Sequence, residues 1–381
     1  MCIEDENRGD DGGESLLSDG EKQALLTEKF LQLLRLSIGS SAEEPDIAAE
    51  EWPEIHDMSA KQSLQALMFC GVERLPEDKR PPHELRLRWI VECQRAEMGN
   101  RKLNAAVVAV AEWFRKRGFR SCLLKGQGNA MMYPQPLRRM PGDIDLWLEG
   151  EPDAIIRFVH GIDKNAEARY HHIEFPSYKG IPVEIHYRPR FLRNPIHNHR
   201  LQKYFVQQSD RQFSNIVTTE DGNCYSAPTA DFNAIFQLSH IYGHLYEEGI
   251  GLRQLVDYYY LLYKFDEGKY DKSALQSQLK RMGMYGIAGA VMYILRDKLY
   301  IDESLLIVPA DERRGRVLLD DILEGGNFGF YSTRNCTNEG LIRHNVMRVL
   351  RDIRLLRYFP GESLWEPFFR IWHFFWRRKR N

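Results

Sequence analysis

The sequence predicts an α+β fold in three parts: a mixed β-sheet with helices packed on it, flanked by N-terminal and C-terminal helical domains. Three observations predict it. Strand-like apolar runs are confined to residues 118–225, and helical periodicity prevails on both sides of them. Within that stretch two strand patterns are joined by Ser177-Tyr178-Lys179-Gly180, a turn of hairpin size. A hairpin argues for a mixed sheet and against a doubly wound parallel one. At 381 residues the chain exceeds one typical core, which suits a division into parts.

In order along the chain, residues 1–20 are acidic, glycine-rich and poor in apolar side chains, and are expected to be a disordered tail. A helical region follows over 21–117. Leu25, Leu26, Phe30, Leu33 and Leu34 stripe a helix over 21–36, and a second helix is expected over 59–69. Pro81-Pro82 then precedes a long helix over 83–117, with Leu103, Val107, Val110 and Phe114 on one face. Gly118 is the stop signal. The sheet domain, 118–225, has strands over 121–124, 143–148, 170–175 and 181–187, and helices over 127–133 and 152–160. From 226 to 381 the pattern is helical again, starting at the N-cap candidate Thr229. Helices are expected over 272–281, 287–299, 313–323 and 338–358. The run 364–376 is aromatic on most faces, which suits burial against another helix or an oligomer contact better than an anionic membrane.

Composition narrows the partners. A net charge of −2 gives no global attraction to nucleic acid, and no recognition module for it is present. The cysteines Cys2, Cys70, Cys93, Cys122, Cys224 and Cys336 lie far apart with no Cys-x-x-Cys. That excludes a zinc knuckle and points to reduced thiols in a cytoplasm. There is no signal-peptide plan and no apolar run long enough to span a bilayer.

The chemistry concentrates in Leu123-Leu124-Lys125-Gly126-Gln127 and Arg138-Arg139-Met140-Pro141-Gly142-Asp143-Ile144-Asp145-Leu146. An apolar run ends in a glycine turn, and a second run opens with two acids. Side chains alternate along a strand, so Asp143 and Asp145 share one face, about 7 Å apart. Two carboxylates so placed repel each other unless a cation lies between them, and hard oxygen ligands suit magnesium or manganese. A third acid, Glu184 in Ile181-Pro182-Val183-Glu184-Ile185, has the same apolar flanks.

These residues resemble the nucleotidyltransferase superfamily that includes DNA polymerase beta. The wording Leu-Leu-Lys-Gly, Gly-Asp-Ile-Asp-Leu and Gly251-Leu252-Arg253-Gln254-Leu255-Val256-Asp257 is similar to a bacterial branch of uncharacterised nucleotidyltransferases. The resemblance implies a nucleotidyltransferase-type sheet and magnesium-dependent transfer of NMP from an NTP, ATP foremost, to a hydroxyl of a small molecule or protein. It implies two metal ions, Mg2+ or Mn2+, with Asp143 and Asp145 bridging both and Glu184 completing the catalytic set. It places the triphosphate at the turn of Gly126 and Gln127. Lys125, Arg139 and Gly142 beside it are the further nucleotide-binding candidates, Lys125 and Arg139 being either phosphate grips or solvent-facing charges whose stems cover the sheet. Gln127 stands where the superfamily usually has serine or glycine.

Two rival readings remain. One is a non-catalytic nucleotide-binding or antitoxin-like interaction protein that keeps the acids. The other is a metallohydrolase using His240 and His244, which sit four apart on a helix but lack an evident third ligand; they are expected to line the cleft. Arg253 and Asp257 have the spacing of an intrahelical ion pair. Arg188, Arg190, Arg193, Arg200 and Lys203 form a basic run that either steers an acidic acceptor or is a solvated face.

Overall fold

The computed structural model describes residues 18–247, 249–327 and 349–380. Helix α1 (Asp19–Ile38) starts in a capping box: Ser18 Oγ accepts from the Glu21 N–H, and the Glu21 carboxylate accepts from the Ser18 N–H. Asp19 and Gly20 therefore belong to the helix, and the rest of the expected tail lies outside the described residues. The single helix expected over 59–69 is two helices, α2 (Trp52–Lys61) and α3 (Gln65–Arg74). They part where Ser63 takes a φ of +53°. Helix α4 (His83–Arg115) serves two cores: Trp89, Cys93 and Ala96 pack with α1–α3, while Leu103, Val107, Val110 and Phe114 pack under the sheet. Gly118, at φ +85°, ends it.

The sheet comprises β1 (Ser121–Leu123), β2 (Ile144–Leu148), β3 (His172–Tyr178) and β4 (Ile181–His186), in the order β1-β2-β4-β3. The central pair β2 and β4 is parallel, and both edge pairs are antiparallel. Helices α5 (Gln127–Ala130) and α6 (Pro152–His160) lie in the connections. Lys179 and Gly180, at φ +51° and +80°, make the two-residue turn between β3 and β4, whose positive angles match the strand twist. Alternation sorts the faces. Ile144, Leu146, Leu148, Ile173, Val183 and Ile185 form one core with α4 and α6. Asp145, Glu184 and His186 take the other face, closed at one end by Trp147 against Phe213 and Phe232.

Helix α7 (Pro195–Ser214) and the hairpin β5 (Ile216–Thr218)–β6 (Cys224–Ser226) were not legible as periodicity, because few of their residues are buried. The start of α7 did carry a signal: Asn194 caps it, accepting from the Ile196 and His197 N–H groups, and Pro195 is its first residue. Next come α8 (Ala230–Tyr246), α9 (Leu252–Glu267), α10 (Lys272–Arg281), α11 (Tyr285–Asp297) and α12 (Glu312–Gly325). The helix expected over 338–358 lies partly outside the described residues; its described part is helical over 349–356 (α13). The one-turn α14 (Pro360–Ser363) and α15 (Glu366–Arg378) close the chain.

N-terminal and C-terminal helices share one apolar core. Polar ties cross it: Arg35 donates to Lys298 O at 3.2 Å, and Gln62 joins Ile322 O at 3.0 Å to the Leu252 N–H at 2.8 Å. Two expectations need correction. Arg190 and Arg193 of the basic run are neither solvated nor open to an acceptor; both are buried and paired with Glu247, and Arg193 also with Glu366. Helix α15 is not wrapped on most faces either. Phe369 stacks on Phe191, but Phe368, Ile371, Phe374 and Phe375 stand 57–65 % exposed. Among the described residues no helix is long and apolar enough to cross a membrane.

Candidate active site

The parallel pairing of β2 and β4 sets Asp145 directly opposite Glu184. Neighbouring strands are about 4.8 Å apart, so the two carboxylates stand side by side. Asp143 precedes β2 and lies half-buried at the mouth, whereas Asp145 is 1 % exposed. An open cleft, about 520 Å³ including its mouth, runs over Asp143 and Asp145. Lys125, Gly126, Arg139 and Gly142 line its loop side, and His240 of α8 and Arg253 of α9 its roof. Glu184 is not in that lining; it joins the group through its register with Asp145.

Charge in this group is out of balance. The charge of Asp145, and after it burial, pushes the Asp143 carboxyl up to about 6. Burial also acts to raise Asp145, but the Lys125 ammonium and His186 hold it below its ordinary range. Glu184 follows the same rule: burial opposes, and hydrogen bonding from His186 with the nearby His172 holds it low. Lys125 Nζ is 2.8 Å from Asp145 Oδ1, and burial, which would lower it, is outweighed by the three acids. One ammonium thus faces three carboxylates.

The structure adds residues that the sequence reading missed. His186 Nε2 is 3.0 Å from Asp145 Oδ1 and 3.5 Å from Glu184 Oε2. The β3–β4 register sets His172 opposite His186, with His172 Nδ1 3.6 Å from Glu184 Oε2. His171 Nε2 lies 3.1 Å from His172 Nδ1 and 2.9 Å from Arg190 Nη1. Burial pushes His172 down to about 3, whereas at His186 the bonds to Asp145 and Glu184 overcome burial and raise the ring's pKa. A signal was there: His186 is two residues past Glu184, so it shares that residue's face.

The glycine turn is built for close approach. Gly126 takes a φ of +58°, and a Cβ there would stand 3.4 Å from Asp143 O. The helix after it is a single turn, so a phosphate at the turn would have little helix dipole behind it. Gln127 turns away from the cleft: its side chain is buried and donates to Asn104 Oδ1 at 2.6 Å. Arg139 reaches the cleft wall, but Nε and Nη2 are each 2.8 Å from the two oxygens of Asp257. Asp257 is thus paired with Arg139, with Tyr133 Oη and Asn129 also donating to that carboxylate at 2.7 and 3.1 Å, and the expected partner Arg253 also acts on it by its charge. Burial, then the charge of Arg139, lowers Arg253 to about 10.

His240 and His244 touch through their Nε2 atoms at 3.1 Å, and burial keeps both rings far below their ordinary pKa. Among the described residues neither belongs to a group of three metal-capable side chains, whereas Asp145, Glu184 and His186 do. His240 lines the cleft, and among the described residues no third ligand joins the two histidines as a hydrolase site needs.

Residues 48–299 match a family model described as an uncharacterised nucleotidyltransferase. The chain belongs to that family. The matched stretch holds every cleft residue named above, from Lys125 to Asp257. A crystal structure of an antigenic nucleotidyltransferase-like protein from Paracoccidioides brasiliensis is similar at 11% identity and a TM-score of 0.31. That likeness covers 56% of this chain and 96% of that one, and is too distant to carry an argument. No curated protein matches the chain.

Proposed function

We propose that this family member transfers the NMP unit of an NTP to a hydroxyl of a small-molecule or protein acceptor, with Asp143, Asp145 and Glu184 as ligands of two magnesium or manganese ions. The observation that carries the reading is the register of β2 and β4, which sets Asp145 beside Glu184 with Asp143 at the mouth and one lysine among them. The donor set fits a divalent cation: hard oxygens, and a carboxyl driven to about 6 by its neighbour's charge, a repulsion a cation relieves. Bound there, the ions would neutralise charge on the α-phosphate and lower the pKa of the attacking hydroxyl.

The chain's own residues have the remaining tasks. Lys125, Gly126 and Gly142 border the space for the triphosphate, with Arg253 on the roof. Arg139 acts on this site by bracing the loop against α9 through Asp257. ATP is the NTP to try first. Nucleic acid is not favoured as an acceptor, since Arg190 and Arg193 are internal struts. Buried free thiols at Cys70, Cys93 and Cys122 suit a cytoplasmic setting.

A second reading, nucleotide binding without transfer, is favoured by the Lys125 ammonium and His186, which already pair with the Asp145 carboxylate. Two experiments separate the readings. Thermal unfolding with saturating ATP and magnesium should shift upward, by about 2.7 kcal/mol of stability at 100 times Kd. Equal shifts in EDTA would sink the two-metal reading. Incubation with each α-labelled NTP and a cell extract then separates transfer, where label reaches an acceptor, from binding alone.

A further inference from the structure

The proposed function uses three carboxylates and leaves two buried imidazoles beside them without a task. His186 is 2 % exposed and His172 6 %. Both lie on the acid-bearing face of the sheet, fixed by the His172–His186 and Asp145–Glu184 registers. We infer that Asp145, Glu184 and His186 together form a mixed nitrogen–oxygen site that takes a divalent first-row transition ion, of the manganese-to-zinc series, in preference to magnesium. This rests on the reading of Asp145 and Glu184 as metal ligands and names which metal class one of the two positions selects.

The spacing of the donor atoms supports it. Atoms bound about 2.1 Å from one ion stand roughly 3.0 Å apart at right angles and roughly 3.4 Å apart at tetrahedral angles. The separations here are 3.0 Å from His186 Nε2 to Asp145 Oδ1 and 3.5 Å to Glu184 Oε2, and the three donor atoms all lie within 4.8 Å of one another. The first is also an ordinary hydrogen bond. The second is long for one and has the spacing of two ligands on one ion. Magnesium seldom accepts imidazole nitrogen, whereas manganese, cobalt and zinc accept it beside carboxylate. His171 and His172 are left out of the set: His171 Nε2 faces the Arg190 guanidinium at 2.9 Å, and His172 Nδ1 faces His171 Nε2 at 3.1 Å. Lys125, 21 % exposed and 2.8 Å from Asp145 Oδ1, is the cation that an ion must displace there, and the cleft beside it gives the ammonium room.

The test uses full-length protein stripped with EDTA and titrated with Mn2+, read by electron paramagnetic resonance. One Mn2+ per chain should stay bound against a 100-fold excess of Mg2+, and its pulsed spectrum should show coupling to imidazole nitrogen. His186→Gln should remove the nitrogen coupling and cut the Mn2+-over-Mg2+ preference at least about tenfold. Wild-type Mn2+ without nitrogen coupling, or coupling unchanged in His186→Gln, overturns the inference. Should His186→Gln not fold, wild-type protein labelled with 15N-histidine decides alone: a coupling that does not take the 15N pattern overturns the inference. Nitrogen-coupled Mn2+ in a protein whose ATP shift ignores metal would uphold this site while defeating the proposed transfer reaction.

Discussion

Two buried carboxylates stand in the same cleft, and their surroundings are opposites. Asp257 receives four donors, two from Arg139 and one each from Tyr133 and Asn129, so both of its oxygens are doubly engaged. Asp145 has Lys125 and His186, both on Oδ1, and two further carboxylates for neighbours. The first is closed, with its charge matched and its hydrogen bonds filled, as a structural ion pair must be when water is excluded. The second carries surplus negative charge, a condition typical of sites awaiting a cation or a substrate. The sequence marked Asp145 as a metal-ligand candidate and Asp257 as half of an intrahelical pair; the partners each meets in the fold set them further apart.

The largest expected effect breaks the closed site. Asp257→Asn leaves the Arg139 guanidinium buried and unpaired, and should cost about 3 to 5 kcal/mol in urea unfolding. A loss below about 1 kcal/mol would mean that the pair braces nothing. Next comes the open site. Glu184→Gln should keep magnesium-dependent ATP affinity within a few-fold yet lower transfer at least about 100-fold, as loss of a ligand on the acceptor side predicts. Robust transfer by that variant would show the third acid to be misassigned, and Glu174, opposite Glu184 in the β3–β4 register, is then the one to replace.

The smallest effect is a pH dependence. Folding raises Asp143 from its ordinary 3.8 to about 6, so the metal-free folded protein binds a proton that the unfolded chain has already released. That contribution is full below pH 4 and lost as pH climbs through 6. Wild-type stability should therefore fall across this window relative to Asp143→Asn, in chelator. Parallel curves for the two proteins would remove the repulsion from the account of the open site.

What the sequence by itself determined is what local period and composition can carry. Alternation in Ile144–Leu148 and Ile181–His186 put Asp145 and Glu184 on the polar side of their strands, and the stripe from Leu103 to Phe114 marked the helix beneath them. The glycine turn at Gly126 and the helical stretches before and after the sheet were legible for the same reason. Tertiary structure alone decided who meets whom. Strand register sets Asp145 against Glu184, 39 residues on in the chain, and across the β3–β4 hairpin it brings His172 to His186, 14 residues on. Arg139 and Asp257 are 118 residues apart, and no spacing rule could take Arg139 from the phosphate and give it to that acid. Gln127 turned inward because Asn104 of α4 offers it a buried acceptor. A side chain's role depends on the charge and hydrogen-bond partners that folding gathers around it, and these come from segments far apart in the chain.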